Sequence, residues 1–387
     1  KEMKKKICAY IGSRANYASI KSVLTAIKKE KKLELQVILA ASGVLDKYGD
    51  LEKIIKSDGF KINSKIYSLL EGENPITMAK TTGYGLVEIT TELSKLKPEF
   101  LVVVGDRFET LSASIAAAYL NIKIAHTMGG EITGTIDESI RHANTKFSHV
   151  HFPSSKKARR NIINLGEDPK NVFHVGCPRI DIAKSVINSK EKLNSNVIFK
   201  HGVGKKFDLA KDFLVLSQHP VTTEYEQSMQ HILNSLEALK IIGMPTLVFW
   251  PNSDAGSDGV SKGIRLFREK NKMINFFFIK NLSTNHYLNI LNHTKCLIGN
   301  SSSGIREGSY IGTPVVNIGS RQTDREKGSN VIEVKNNKSQ IVKAIKKQIK
   351  RGKYKSSKIY GHGNSGKKIA NILCRVSPKI QKKLFTR

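Results

Sequence analysis

A run of three serines followed by a glutamate carries the clearest chemical signal in this sequence. It lies within residues 296–319, where an apolar run meets the serines, then an amphipathic segment and a second apolar run. This order is typical of strand, polar turn, helix and strand. The amides of a helix start and the hydroxyls of Ser301, Ser302 and Ser303 would bind a phosphate. Glu307, one turn later, would accept hydrogen bonds from ribose hydroxyls. A serine N-cap with a solvated glutamate explains the same pattern.

Charged and polar side chains also follow several predicted strands. Because the carboxyl ends of parallel strands share one edge of a sheet, we expect these side chains to gather there. Carboxylates suit proton transfer, and cations suit an anionic leaving group. Taken singly, Asp137 also fits an ordinary helix start, and His219 before a proline also fits a turn. In chain order the residues are Arg14, Asp106, Arg107, His126, Glu131, Asp137, Arg141, His142, His219, Asn252 and Asp254.

Strands and helices alternate along almost the whole chain, and this alternation must position those residues. Phe100 to Val104 is fully apolar, which is typical of a strand buried on both faces of a parallel sheet. Asn74 before Pro75 predicts the start of a long helix. Two successive strand and helix series predict an α/β fold with two doubly wound domains and a ligand site in the cleft between them. We expect a strand at Val172 to Val175 to finish the first sheet, and the lysine- and asparagine-rich stretch from Pro178 to about Asp208 to connect the domains.

The composition narrows the class of protein. The formal charge of +31 attracts anionic substrates, but the lysines are scattered over every predicted helix, so the sequence does not favour nucleic acid. The four cysteines are far apart and form no disulfide or metal pattern, which predicts a cytoplasmic protein. No apolar run approaches the roughly 18 residues of a membrane span, and the first residues do not read as a signal peptide. We therefore expect no membrane partner.

Long blocks of this chain resemble one enzyme family. The blocks between Arg14 and Asn364 include GDRFETLSASIAAAYLNI, GGEITGTIDESIRHANTKFSHVHF and LIGNSSSGIREGSYIGTPVVNIGSRQ. They are similar to the hydrolysing UDP-N-acetylglucosamine 2-epimerases of bacterial sialic and legionaminic acid biosynthesis. The resemblance implies a glycosyltransferase-B-like pair of Rossmann-like domains, with residues 1–180 and a C-terminal helix at 362–387 in the first and residues 181–361 in the second. It also implies a homo-oligomer, either a dimer or a tetramer.

The resemblance assigns roles to individual residues. Asp106 and Asp137 match catalytic carboxylates of the family, and Glu131 lies in the family's Gly-Gly-Glu loop. Many relatives have a glutamate where this chain has Met128, which cannot exchange a proton, so we expect Glu131 to take over that role. The positions that match nucleotide-binding residues are Arg14, Arg107, His219, Asn252, Ser301, Ser302, Glu307 and Arg321.

The reaction that the resemblance implies is anti elimination of the nucleotide across C1 and C2 of the sugar, followed by addition of water to the glycal. UDP-N-acetylglucosamine would then give UDP and N-acetylmannosamine. Three alternatives stay open: the same reaction on UDP- or GDP-linked 2,4-diacetamido-2,4,6-trideoxyglucose, a nucleotide-sugar glycosyltransferase of the same fold, and a nucleotide-sugar sensor. No metal-ligand cluster or dinucleotide glycine fingerprint is recognised, so we expect neither a metal nor a redox cofactor.

Overall fold

A computed structural model of the chain describes residues 3–46, 49–72, 74–251, 254–280 and 282–386. The chain folds into two compact units. The first comprises Lys1–Ile132, Ile136–Asp181 and Tyr360–Arg387, and the second comprises Thr133–Thr135 and Ile182–Ile359. Each unit has its own sheet and its own core.

The first unit alternates strands and helices from its first strand onward. Its elements are β1 (Lys5–Ile11), α1 (Arg14–Lys29), β2 (Leu33–Ala40), α2 (Leu51–Ser57), β3 (Ser64–Ile66), α3 (Pro75–Leu96), β4 (Phe100–Val104), α4 (Phe108–Tyr119), β5 (Lys123–Thr127), α5 (Asp137–Phe147), β6 (Val150–Phe152) and α6 (Lys156–Asn164).

Six parallel strands form the sheet of the first unit, in the order β3-β2-β1-β4-β5-β6. β1 continues to β2 on one side and β4 to β5 on the other, so the strand order reverses between β1 and β4. All of Phe100–Val104 is buried, as its apolar sequence predicted. The predicted start of α3 is also confirmed, because Asn74 caps the helix in a reciprocal pair with Thr77 and Pro75 is its first residue.

The second unit follows α7 (Pro178–Ser189), a helix that spans the boundary between the units. Its elements are α8 (Ser195–Lys200), β7 (Gly202–Gly204), β8 (Leu214–Ser217), α9 (Ser228–Ile242), β9 (Thr246–Phe249), α10 (Ser257–Lys270), β10 (Phe276–Ile279), α11 (Thr284–His293), β11 (Cys296–Gly299), α12 (Ser302–Ile305), α13 (Glu307–Ile311), β12 (Val315–Ile318), β13 (Val331–Val334) and α14 (Lys338–Arg351).

Seven strands form the second sheet, in the order β13-β12-β11-β8-β9-β10-β7. All neighbours are parallel except β7, which pairs antiparallel with β10 at the edge. The last helix, α15 (Ser365–Arg375), belongs to the first unit, where both oxygens of Asp181 accept hydrogen bonds from its first amides. The predicted α/β fold of two Rossmann-like doubly wound domains is therefore confirmed.

Two sequence predictions about elements were wrong, and one was incomplete. Only Val172 of the expected strand Val172 to Val175 bridges β6, and the segment beyond it forms no strand. The stretch expected to connect the domains does contain the boundary between the units, but it also contains α7, α8 and β7, because Ile180 and Ala183 supply a buried helix face amid the polar residues. The single helix expected after the serines is two short ones, interrupted at Arg306, whose ψ is −75°. Among the described residues, no helix is long and apolar enough to cross a membrane.

Candidate active site

Asp106, Glu131 and Arg141 form a charged cluster at the carboxyl ends of β4 and β5. The Arg141 side chain is fully buried on α5, and one terminal nitrogen donates to the Asp106 carboxylate. The other donates to the backbone oxygen of Glu131 at 2.7 Å. Glu131 is only 5 % exposed, whereas the Asp106 side chain keeps 24 % of its surface accessible. One arginine therefore binds the carboxylate of Asp106 and the backbone of Glu131, and so positions two of the predicted catalytic residues.

Neighbouring carboxylates stabilise the charged form of Arg141. Burial alone lowers the pKa of its guanidinium, but the charges of Asp106, Glu131 and Asp137 outweigh burial and raise it above the ordinary value. Asp137 is the first residue of α5, so it lies one helical turn from Arg141. The helix-start interpretation of Asp137 therefore holds in the structure, and the residue also belongs to the electrostatic environment of the charged cluster.

His126 supports the turn that carries Asp106. Its ring is fully buried, and Nε2 lies 2.8 Å from the backbone oxygen of Gly105, so Nε2 carries the proton and donates. The hydroxyl of Thr145 lies 3.3 Å from Nδ1. Burial lowers the pKa of His126 to about 3, so the ring is neutral at physiological pH. His126 therefore has a structural role, because it holds the turn after β4 by a hydrogen bond.

The loop from Met128 to Glu131 has a tightly constrained backbone. Met128 is 4 % exposed and has a φ of 63°, a left-handed conformation that costs a non-glycine residue roughly 1–2 kcal/mol. A Cβ at Gly130 would lie 2.3 Å from the backbone oxygen of Ala158, and one at Gly129 would lie 2.7 Å from the His126 ring. Both glycines are thus required for the path that leads to Glu131.

Glu109 is a buried carboxylate that the sequence predictions missed. It lies in the first turn of α4 and is 2 % exposed. Its Oε1 accepts a hydrogen bond from Nε of Arg107 at 2.5 Å. Gly12, which follows β1, leaves room for it, because a Cβ there would lie 2.5 Å from Cγ of Glu109. The expectation that Asp106, Glu131 and Asp137 are the acidic residues at these strand ends was therefore incomplete.

Arg14 follows β1 in the same sheet. It is the first residue of α1, whose start is capped by the Ser13 side chain. Burial lowers the pKa of Arg14, although a guanidinium stays protonated in proteins. Its position after β1 places it at the same carboxyl edge as Arg107 after β4, because β1 and β4 are neighbours.

In the second unit, Ser301, Ser303 and Tyr287 form a hydroxyl cluster at the end of β11. Ser301 caps α12 by accepting from the amide of Ser303, and the two serine hydroxyls lie 2.8 Å apart. The Tyr287 hydroxyl, from α11, lies 2.7 Å from that of Ser303. Ser302 is the first residue of α12. The serine N-cap is therefore present, and Tyr287 adds a hydroxyl that the sequence did not indicate.

Glu307 is fully buried in the structure, so the solvated glutamate of the ordinary interpretation is wrong. Burial raises the pKa of Tyr287, and the charge of Glu307 raises it further. The two side chains are thus electrostatic neighbours. The sequence suggested a glutamate on a helix surface; the break at Arg306 instead turns α13 so that its first residue points inward.

Asn300 joins His219 and Arg321 to the same region. Its side-chain oxygen accepts from the amide of His219 at 2.7 Å, and its side-chain nitrogen donates to the oxygen of His219 at 2.9 Å. Its backbone oxygen accepts from Arg321 at 3.3 Å and from Gln322 at 2.9 Å. These predicted nucleotide-binding residues are therefore brought together with Ser301. Asn252, the remaining one in this unit, lies outside the described residues.

Comparison with known proteins identifies the family. The family model described as UDP-N-acetylglucosamine 2-epimerase matches residues 25–374. This chain belongs to that family. A Legionella pneumophila protein named UDP-N,N'-diacetylbacillosamine 2-epimerase (hydrolyzing) is 30% identical over 96% of both chains. A Campylobacter jejuni protein named GDP/UDP-N,N'-diacetylbacillosamine 2-epimerase (hydrolyzing) is 31% identical over 85% of this chain and 84% of its own.

The fold of this epimerase family member also matches solved structures. The Neisseria meningitidis UDP-GlcNAc 2-epimerase, solved with UDP-GlcNAc bound, superposes with a TM-score of 0.80 over 96% of this chain and 100% of its own, at 16% identity. At that identity the likeness shows the fold. The family resemblance predicted from the sequence is thus confirmed, and the family and its relatives indicate an epimerase. Within the described ranges, no group of three or more His, Cys, Asp or Glu side chains is arranged to hold a metal ion.

Proposed function

We propose that this family member is a hydrolysing 2-epimerase that converts UDP-N-acetylglucosamine to UDP and free N-acetylmannosamine. The charged cluster carries the proposal, because one buried arginine binds both the Asp106 carboxylate and the backbone of Glu131 at the strand ends where α/β sheets bind ligands. The names of the relatives from Legionella pneumophila and Campylobacter jejuni support the hydrolysing type.

The proposed first step is an elimination. A carboxylate removes the proton at C2, the electrons of that C–H bond form the C1–C2 double bond, and the bond from C1 to the diphosphate breaks to release UDP. Arg141 pairs with Asp106, and an ionised carboxylate is the form that accepts a proton. Met128 cannot do so, and we assign the exchange to Asp106 and Glu131.

The second step adds water to the glycal. The water oxygen bonds to C1, and a proton returns to C2 on the opposite face, which inverts that centre. Asp137, whose charge acts on Arg141, is assigned to this step. The hydroxyl cluster, Glu307, His219 and Arg321 are assigned to nucleotide binding, and Arg14 and Arg107 to the charge that develops on the leaving diphosphate.

A second substrate is favoured by a specific observation. The Legionella pneumophila and Campylobacter jejuni relatives, at 30% and 31% identity, are both named for N,N'-diacetylbacillosamine, with UDP or with either GDP or UDP. The same elimination and hydration operate on that sugar, because the C1–C2 chemistry is unchanged by an acetamido group at C4.

We also propose that the protein is a cytoplasmic homo-oligomer, either a dimer or a tetramer. All four cysteines are free thiols, which suits a reducing compartment. The outward face of α3 supports the association of copies, since Ile76 is 68% exposed, Val87 64% and Tyr84 48%. Light scattering after size exclusion would measure the mass, and a mass of about one chain would contradict this part of the proposal.

The deciding experiment is product analysis with a single nucleotide sugar and no acceptor. The four substrates are UDP-N-acetylglucosamine, UDP- and GDP-N,N'-diacetylbacillosamine, and GDP-mannose as a control. We expect free nucleotide and free 2-epimeric sugar from one of the first three, with deuterium at C2 in heavy water. A nucleotide-linked product would indicate a non-hydrolysing epimerase, and a need for an acceptor would indicate a transferase. Retention of the original C2 hydrogen would overturn the elimination mechanism.

A further inference from the structure

The buried pair of Glu109 and Arg107 is unlike the other ion pairs at the strand ends. The Arg107 side chain is 13% exposed and that of Glu109 only 3%, and their bond of 2.5 Å joins Nε to a carboxylate oxygen. Arg107 is the N-cap residue of α4, and Glu109 lies in the first turn of the same helix. A carboxylate is stabilised at a helix N-terminus, which offsets part of the cost of burying it.

The location of the pair is the point where the strand order of the sheet reverses. Gly12 follows β1 and Arg107 follows β4, and these two strands are parallel neighbours. In open α/β sheets, ligands bind outside the carboxyl ends of the strands at this reversal. The pair therefore lies where a ligand is expected.

Two residues at the end of β1, Tyr10 and Gly12, lie next to this pair. Gly12 brings its backbone against Glu109, since a Cβ there would lie 2.5 Å from Cγ and 3.2 Å from Oε1. Tyr10 is adjacent: burial raises its pKa, the charge of Glu109 raises it further, and Arg107 opposes the change. Tyr10 is thus neutral, and the negative charge of Glu109 is balanced by Arg107. An arginine anchored through Nε has lost most of its rotamer freedom before any ligand arrives.

We propose that Glu109 is a positioning residue that fixes the guanidinium of Arg107 in the orientation that receives the diphosphate of the nucleotide sugar. This inference rests on the proposed function, which assigns Arg107 to the leaving diphosphate. Glu109 acts through Arg107 and takes no part in the proton transfer at C2. Its contribution is to pre-organise a donor, so its loss weakens binding more than it slows the chemical step.

The test is a double-mutant cycle on UDP binding, measured by calorimetry, with Arg107→Gln, Glu109→Gln and both together. We expect Glu109→Gln to weaken UDP binding about tenfold, the scale of one charge-assisted hydrogen bond, and the double variant to bind no more weakly than Arg107→Gln alone. KM should rise by a similar factor while kcat changes less than threefold. Effects of the two single variants that multiply in the double variant would overturn the proposal.

Glu167→Gln is the matched control. Glu167 is another buried carboxylate of the first unit, bonded to Lys146 and Lys382, and its removal is expected to lower the melting temperature without changing UDP binding. Where Glu109→Gln fails to fold, Gly12→Ala displaces the same carboxylate by steric contact and must weaken UDP binding in the same way. Unchanged binding in that variant would also overturn the proposal.

Two further outcomes separate this inference from the proposed function. Loss of deuterium exchange at C2 in Glu109→Gln, with normal UDP binding, would make Glu109 a proton-transfer group and overturn its positioning role while the epimerase assignment stands. A wild type that binds UDP but releases no nucleotide would overturn the proposed function, and the coupling of Glu109 to Arg107 in UDP binding would still be measured by the cycle.

Discussion

The strand ends of the two units carry different chemistry on the same architecture. In the first unit the polar residues after β4 and β5 are charged and paired, with Asp106 and Glu131 both held by Arg141. In the second unit the residues after β11 are hydroxyls and an amide, with Ser301 and Asn300 as their centres. Parallel sheets of similar topology thus supply titratable groups in one unit and neutral hydrogen-bonding groups in the other.

This difference follows from what each kind of group can do. A basic group such as a carboxylate is needed to remove a proton. Burial disfavours an ionised carboxylate, whereas a paired arginine favours it and holds it in one position. Neutral hydroxyls and amides bind an anion or a ribose without carrying a competing charge. Glu307 and Arg321 are charged exceptions in the second unit: Glu307 is a fully buried acid beside the hydroxyl cluster, and Arg321 donates to the backbone oxygen of Asn300.

The largest expected effect is the loss of the carboxylates in the first unit. We expect Asp106→Asn and Glu131→Gln each to reduce nucleotide release about 100- to 10,000-fold, the range typical for loss of a general base. UDP binding should persist, because neither carboxylate is among the groups assigned to the nucleotide. Nucleotide release and calorimetry with UDP would be measured in parallel. Asp58→Asn, which removes a partner of Tyr17 and Lys21, is the control, and full activity in both active-site variants would contradict the assigned roles.

A smaller effect is expected for Asp137, which is assigned to one chemical step. Asp137→Asn should slow hydration more than elimination, so glycal should accumulate and leave the enzyme. Analysis of the products by NMR would detect it. Glu138→Gln alters the neighbouring acid, which faces His142 at 3.5 Å, and should release no glycal. Equal slowing of UDP release and sugar formation in Asp137→Asn would contradict the assignment.

The sequence predicted the sheet and the location of the polar residues because local pattern determines both. Five consecutive apolar residues, Phe100–Val104, are typical of a strand that is buried on both faces of a parallel sheet. Residues directly after such strands must lie at the carboxyl edge. The sequence also named Asp106, Arg141 and Ser301, all of which make the contacts described above.

Burial and long-range pairing were not predictable in the same way. Glu307 was expected on a helix surface, because nothing in the serine run indicates that the helix is interrupted at Arg306. Glu109 resembles an ordinary acid in the first turn of a helix; only its proximity to Gly12, almost a hundred positions earlier in the chain, reveals that it is enclosed. The signal that was present is the spacing of Arg107 and Glu109 directly after a buried strand.

The prediction for Glu307 changes with its burial. Glu307→Gln should raise KM about tenfold if the carboxylate accepts the ribose hydroxyls. A surface glutamate would leave stability nearly unchanged, but replacement of this enclosed one should lower the melting temperature as well. Thermal melts and KM would be measured together. Glu333→Gln is the control, since that side chain is 52% exposed, and unchanged KM in Glu307→Gln would remove the residue from the nucleotide site.

The smallest expected effect is a loss of stability at low pH, which we expect to differ between the two units. Burial lowers the pKa of His126 to about 3 and also lowers the pKa values of His149 and His151, all in the first unit. A histidine whose pKa is depressed in the folded state takes up protons more readily in the unfolded state. The free energy of unfolding is therefore unaffected by that histidine above about pH 6.5 and falls as the pH drops below that value. The loss is about 1.4 kcal/mol per pH unit for each histidine held neutral.

The single tryptophan makes this contrast measurable. Trp250 follows β9 in the second unit, so its fluorescence reports that unit, whereas hydrogen exchange of β4 to β6 peptides reports the first. Between pH 7 and pH 5 we expect protection of β4 to β6 to fall before the Trp250 signal changes. His126→Asn should make the pH dependence shallower because one of the depressed groups is gone. Two results together would mean that the buried histidines of the first unit do not set its acid sensitivity. These are a change of hydrogen-exchange protection and Trp250 fluorescence at the same pH, and an unaltered pH dependence in His126→Asn.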